Sequence, residues 1–171
     1  SANADQTAIE AAAIESLELI TPIYASGVNG RGYSLIADRQ DSDLICFARG
    51  AMISCPDGDR AVETLHPGDL VETMDHGPQP IRWIGRRAVA AVGAYAPIRI
   101  SAGVLGAASP LMVSPQHRFL LSGADVELIT GTAEALAAAA HLVDGQMIKR
   151  VAGGEVEYFH LLFNAHEIIW A

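Results

Sequence analysis

The chain has 171 residues, half of them hydrophobic and 18% charged, which is the composition of one folded domain rather than of a disordered chain. Asp and Glu outnumber Lys and Arg by 20 to 11, for a formal net charge of −9, and this argues against a general nucleic-acid or anionic-membrane surface. No run reaches the roughly 20 apolar residues of a membrane span. The two cysteines are too few for a disulfide scaffold, so the cysteine content favours neither an oxidising nor a reducing compartment.

The first 20 residues predict a helix. Thr7 and Glu10 have the spacing of a capping box. Apolar side chains recur at helical spacing, at Ile9, Ala13, Leu17 and Ile20. Glycines interrupt the segment after Thr21-Pro22, and a strand is expected at residues 33–37.

From Cys46 onward, short apolar runs alternate with turn sequences such as Pro56-Asp57-Gly58-Asp59. One short helix is expected near residues 136–143, in an alanine-rich segment. Strands are expected at residues 44–47, 52–53, 61–65, 70–73, 81–91, 98–100, 111–113, 119–121, 126–130, 147–151, 156–163 and 167–170. This density of strands and turns predicts an all-β body.

Common cofactor motifs are absent. His166-Glu167 begins like a zinc-protease helix, but the second histidine is missing, and Cys46 and Cys55 are too far apart for a zinc knuckle. The sequence has no phosphate loop and no dinucleotide fingerprint. We therefore expect no cofactor and no metal site.

One cysteine and a set of later polar residues remain as candidates for chemistry. Cys46 lies near the end of the strand predicted at 44–47, Ser114-Pro115-Gln116-His117 lies between two others, and His166 lies near the C-terminus. A thiolate is a strong nucleophile and a histidine is a suitable proton donor near neutral pH. A cysteine at a strand end is nevertheless often buried and inert.

Residues 46–171 resemble the Hedgehog/intein (Hint) family, in particular the bacterial intein-like Hint domains. Residues 46–53 resemble the opening block, and residues 61–71 resemble the second strand pair with its Pro-Gly-Asp turn. Ser114 to His117 resembles the Thr-x-x-His block, with serine in the threonine place, and residues 157–169 resemble the late block.

The resemblance implies a compact, horseshoe-shaped all-β Hint domain at 46–171, preceded by a partly helical extension at 1–45. It implies that Cys46 attacks the Ile45 carbonyl, giving a thioester that water or another small nucleophile resolves. The partner is then the chain's own upstream segment, while the acidic composition and the lack of a long apolar run predict no nucleic-acid partner and no membrane span. A bacterial secreted or surface protein is one setting for such a domain.

The resemblance also assigns roles within the site. His117 would protonate the leaving amide, and Ser114 would hold the same peptide off planarity. Asn164, two residues before His166 in the late block, stands where many relatives have an aspartate. Because asparagine cannot accept the proton, cleavage is expected to be slow. We expect Cys46, Ser114, His117 and His166 to converge in the fold.

Two other functions stay open at this point. Cys46 and His117 would also suit a cysteine hydrolase that acts on an external substrate. The serine at 114 and the asparagine at 164 would suit a catalytically weak β interaction module built on the same scaffold.

Overall fold

The computed structural model describes residues 33–36 and 45–171. Within these residues the chain forms 14 strands, one α-helix and three short 3-10 turns, so the all-β prediction is confirmed. The predicted helix in the first 20 residues lies outside the described residues.

Most of the strands are separated by the turn sequences. They are β1 (Tyr33–Ile36), β2 (Phe47–Ala48), β3 (Met52–Ile53), β4 (Arg60–Ala61), β5 (Leu70–Thr73), β6 (Gly77–Pro80), β7 (Trp83–Ala90), β8 (Ile98–Ile100), β9 (Leu111–Val113), β10 (Arg118–Ser122), β11 (Glu134–Ala138), β12 (Ile148–Arg150), β13 (Glu155–Leu162) and β14 (Glu167–Trp170). The helix is α1 (Ala124–Thr130), and the 3-10 turns are Val62–Thr64, Gly93–Tyr95 and Ala139–Leu142.

The strands form two six-stranded antiparallel sheets and one two-stranded pair. The first sheet has the order β11-β10-β1-β14-β5-β6, the second has the order β12-β8-β9-β2-β13-β7, and β3 pairs with β4. In the second sheet, β2 lies between β9 and β13, with Phe47 opposite both Val113 and Phe159. The strand that follows Cys46 is therefore central in its sheet.

The second sheet buries side chains on both faces. Successive side chains of a strand point to opposite faces, and β13 shows this alternation. Phe159 and Leu161 belong to the large core, whereas Val156 and Tyr158 belong to a smaller cluster with Cys46 and Ala48. We call the side of the sheet that carries this smaller cluster the Cys46 face.

Two segments form elements of a different type from those predicted. Residues 124–130 form α1 rather than a strand, and the helix ends at Gly131, whose left-handed φ of 73° lets its N–H bond the Glu127 carbonyl. The segment for which a short helix is predicted near 136–143 is divided, because Glu134–Ala138 form β11 and all pair with β10, whereas Ala139–Leu142 form a 3-10 helix. Tertiary pairing thus overrides the helix propensity of alanine.

Smaller differences concern strand ends. Most of the strand predicted at 61–65 is a 3-10 turn at Val62–Thr64, and a strand, β6, occupies Gly77–Pro80, where no strand is predicted. The Leu65 N–H donates to the Val62 carbonyl and closes the 3-10 turn, whereas all four residues of β6 pair with β5 although two of them are prolines.

Candidate functional site

The Ile45–Cys46 peptide lies directly before β2 in the middle of the second sheet. Both residues are buried, with 4% of Ile45 and 2% of Cys46 exposed. The Cys46 side chain joins Tyr158 and Val156 in the smaller cluster. The proposed scissile bond is thus held inside the domain and is not on a surface loop.

Ser114 follows β9 and binds the backbone of Cys46. The Cys46 N–H donates a buried hydrogen bond to Ser114 Oγ at 2.9 Å. In return, the Ser114 N–H donates to the Cys46 carbonyl at 2.9 Å. The pairing of β2 with β9 brings these residues together, although they are 68 positions apart.

His160, on β13, binds the other polar atom of the same peptide. Its Nδ1 lies 2.8 Å from the carbonyl oxygen of Ile45. A carbonyl oxygen can only accept, so Nδ1 carries the proton and donates it. We did not single out His160 from the sequence. The available signal was a polar residue inside the apolar run Tyr158 to Phe163 of the late block.

His117 lies in the turn between β9 and β10, and its ring is fully buried. The ring packs edge-on against Phe47, with centroids 4.6 Å apart, and is tilted against Phe119 at 5.4 Å. Among the described residues, no hydrogen-bond partner reaches either ring nitrogen. His117 therefore offers two free nitrogens in the core beside β2.

Burial lowers the pKa of His117 to about 3, because the charged ring would lose its hydration. The nearby backbone of Cys46 raises this pKa without completing a hydrogen bond of ordinary geometry, and the charge of His160 lowers it further. The ring is therefore neutral at pH 7, and the same burial makes it a weak base.

Burial also raises the pKa of the Cys46 thiol to about 12. The neighbouring Tyr158 has a raised pKa for the same main reason, with a further contribution from Cys46. Its hydroxyl donates to the Tyr95 carbonyl at 2.9 Å. At neutral pH, Cys46 is a thiol, and nucleophilic attack requires a group that takes its proton.

Asn164 and His166 lie in the exposed turn between β13 and β14. The Oδ1 of Asn164 accepts a hydrogen bond from Arg82 Nε at 2.7 Å. Within the described part of the chain, no hydrogen bond or ion pair joins either residue to Cys46. The structure thus places Ser114, His117 and His160 around Cys46, and places Asn164 and His166 at the surface.

Two features are absent from the described residues, a cluster of metal-ligand side chains and a membrane-spanning helix. No group of three or more His, Cys, Asp or Glu side chains among them could hold a metal. No helix in the described residues is long and apolar enough to cross a membrane.

Comparison with known proteins gives one finding. A family model described as "Hint domain" matches residues 45–171, about three-quarters of the 171-residue chain. The match contains the buried peptide and every side chain placed around it. Searches of curated proteins and of solved structures give no significant match.

Proposed function

Because the chain belongs to the Hint domain family, whose members are self-processing and self-splicing domains, we propose that it cleaves its own backbone between Ile45 and Cys46. One observation carries the proposal. Side chains from two distant parts of the chain bind the two polar groups of this single peptide bond, Ser114 at the Cys46 N–H and His160 at the Ile45 carbonyl.

This arrangement suits attack on the Ile45 carbonyl. The oxygen of that carbonyl gains negative charge as the sulfur bonds to carbon, and the N–H donor of His160 already points at it. A donor that is in place before the reaction stabilises an oxyanion without reorganisation, and such donors are worth about 3 to 4 kcal/mol. The nucleophile belongs to the next residue, so proximity adds a large effective molarity.

The proposed reaction moves one acyl group and one proton. Cys46 Sγ bonds to the Ile45 carbonyl carbon and the thiol proton passes to water. The carbon–nitrogen bond then breaks, and His117, which lies beside the Cys46 backbone, delivers one proton to the leaving nitrogen, which becomes the free amine of Cys46. Water restores the proton of the ring. Water next attacks the thioester, which leaves a carboxylic acid on Ile45 and regenerates the thiol.

The two perturbed pKa values argue against a thiolate and an imidazolium formed before the attack. A thiol with a pKa of about 12 is ionised to roughly 10⁻⁵ at pH 7. A His117 with a pKa of about 3 is almost entirely neutral there. Neither ion is populated beforehand, so the proton is transferred as the sulfur–carbon bond forms. We expect slow, single-turnover cleavage.

Burial argues against a hydrolase that acts on an external substrate. Only 2% of Cys46 is exposed, and the histidine that would bind an incoming carbonyl already holds that of Ile45. A non-catalytic β module has one observation in its favour. Asn164, in the place of a family aspartate, is a neutral amide tied to Arg82.

Intact mass spectrometry of the purified chain over time tests these functions. We expect fragments 1–45 and 46–171, faster release with hydroxylamine, and a hydroxamate on Ile45 from thioester capture. Cys46→Ala should remain whole, whereas Cys55→Ala, which removes the other buried thiol, should cleave like the parent. An intact parent chain under all conditions favours the non-catalytic module. Turnover of an added ester that depends on Cys46 favours the hydrolase.

A further inference from the structure

An exposed tryptophan lies beside the histidine that binds the Ile45 carbonyl. Trp83 begins β7, is 53% exposed and meets the His160 ring edge-on, with centroids 6.3 Å apart. Aromatic pairs attract one another at this separation and angle. Trp83 and His160 stand on neighbouring strands, since β7 pairs with β13 along its whole length.

The indole of Trp83 packs directly against the backbone of Gly85. It lies directly opposite His160 in the register of the two strands. A Cβ at position 85 would stand 2.4 Å from Trp83 Cη2 and 2.6 Å from Cζ3, which is closer than atoms can approach. The backbone of Gly85 does not have the positive φ that favours glycine. The indole, and not the local backbone conformation, therefore requires a glycine here.

This glycine has a structural cost that needs an explanation. Glycine inside a strand weakens it, and it often marks a place where another group approaches closely. Gly85 is in the third position of the eight-residue strand β7. The group that approaches is an indole that remains half exposed, so burial of apolar surface alone accounts poorly for the arrangement.

We propose that Trp83, which packs against Gly85, is a positioning residue that holds the His160 ring with its Nδ1 against the Ile45 carbonyl. Among the described residues, the one hydrogen bond of the His160 ring is that made by Nδ1. A single hydrogen bond fixes one atom but leaves the ring free to turn about it. The edge-on indole supplies a second constraint. The consequence for cleavage rests on the proposed function, whereas the positioning itself does not.

Nitrogen-15 NMR of the histidine ring tests the positioning in Cys46→Ala, a chain that stays whole. In this parent we expect His160 to show the Nδ1–H tautomer, with its signal assigned through His160→Gln. Gly85→Ala and Trp83→Ala should each cause a loss of the Nδ1–H tautomer in favour of Nε2–H. Trp83→Phe, which keeps an aromatic ring, should retain part of it.

A double-mutant cycle separates the indole from general effects on the strand. If Gly85 matters only because it leaves room for the Trp83 indole, adding Gly85→Ala to Trp83→Ala should cause no further loss of the Nδ1–H tautomer. The control is Leu128→Ala, which truncates an apolar side chain that is 86% exposed on α1 and should leave the tautomer unchanged. Trp83→Ala removes a half-exposed side chain, so it keeps the test open if Gly85→Ala does not fold.

Cleavage rates with Cys46 restored give the functional result. We expect Gly85→Ala and Trp83→Ala to cleave roughly 10- to 100-fold more slowly, the effect of displacing a reacting group by about 1 Å. An unchanged tautomer in both variants overturns the positioning. A changed tautomer with an unchanged rate overturns its role in cleavage. If the parent chain does not cleave, the proposed function fails, and the NMR result still decides the positioning.

Discussion

At the scale of single residues, the Ile45–Cys46 peptide has a hydroxyl on its nitrogen side and an imidazole on its oxygen side. The hydroxyl satisfies an N–H that burial would otherwise leave without water. The imidazole places a donor where negative charge develops during attack. The same contacts therefore contribute to stability in the intact chain and to the reaction we propose.

Ser114→Ala should lower both the folding stability of the domain and the rate of cleavage. The variant leaves the buried Cys46 N–H without its partner, and an unsatisfied buried donor costs about 1 to 3 kcal/mol. Urea unfolding in the non-cleaving Cys46→Ala background measures that loss, and intact mass measures the slower cleavage. Ser114→Thr keeps the oxygen and should retain most of the cleavage. Equal cleavage by the alanine and threonine variants would remove Ser114 from the mechanism.

His117 should make the domain sensitive to acid. Its folded pKa of about 3 lies below its ordinary value of 6.5, so the unfolded chain binds a proton that the folded chain does not. The contribution to stability is complete above pH 6.5 and is lost as pH falls toward 3, by about 1.4 kcal/mol for each pH unit.

The measurement is urea unfolding between pH 6.5 and 4 in the Cys46→Ala background. The control is His117→Phe, which keeps a ring between Phe47 and Phe119 and cannot titrate. The parent should lose more stability over this range than the control. Parallel curves would show that His117 does not titrate as we expect.

Asn164→Asp tests the role that the family resemblance gives to this position. If a carboxylate at position 164 transfers protons, the variant should release residues 1–45 roughly 10²-fold faster, which is the low end of the range for one general base. The present contact of Asn164 with Arg82 at the surface would hold the new carboxylate ionised. An unchanged rate, measured by gel and intact mass, leaves the thioester mechanism standing without position 164.

At the scale of elements, β13 organises the site because it pairs with β2 on one side and with β7 on the other. Glu157 of β13 binds Arg49, just past β2, at 2.5 Å and also forms an ion pair with Arg86 of β7. These arginines hold the pKa of the Glu157 carboxyl below its ordinary value, through the hydrogen bond from Arg86 first. The ion pairs join the three strands in the register that the backbone pairing defines, and in this register His160 meets the Ile45 carbonyl.

Tyr158→Phe tests how β13 is anchored on the Cys46 face. It removes the hydroxyl that donates to the Tyr95 carbonyl, and we expect a loss of about 1 kcal/mol in unfolding free energy. Tyr95→Phe is the matched control, because that hydrogen bond uses the backbone of Tyr95 and should survive. If both variants lose equal stability in thermal or urea unfolding, the contact is not the cause.

At the scale of the whole molecule, the segment upstream of Cys46 contributes a strand to the sheet of the downstream part. β1 lies between β10 and β14, with all four of its residues opposite β14. Cleavage at Ile45–Cys46 would cut the covalent link but not this pairing. Departure of β1 would expose the edges of two strands, which is unfavourable in water.

The cleaved fragments should therefore stay together under native conditions. We expect fragments 1–45 and 46–171 to elute as one peak in size-exclusion chromatography and to separate in urea, with intact mass identifying each. Elution of the uncleaved Cys46→Ala chain gives the reference position. Separate native peaks would show that pairing through β1 does not hold the released segment.

The sequence by itself determined the features that depend on local pattern. Turn residues between short apolar runs predicted the all-β body, and the order of four blocks predicted the Hint family. The sequence also selected Cys46, Ser114 and His117, which the structure places together before and after the strand pair β2 and β9. These signals are readable because turn chemistry and strand periodicity act over a few residues.

Only the tertiary structure decided which polar groups reach the Ile45–Cys46 peptide. His160 meets Ile45 across 115 positions of sequence, through the pairing of β13 with β2. The same kind of pairing made the first part of the alanine-rich segment a strand, and the turn after β13 left Asn164 and His166 at the surface. Register between distant strands sets each of these outcomes. A one-residue slip would turn every side chain to the opposite face, so local pattern alone could not decide them.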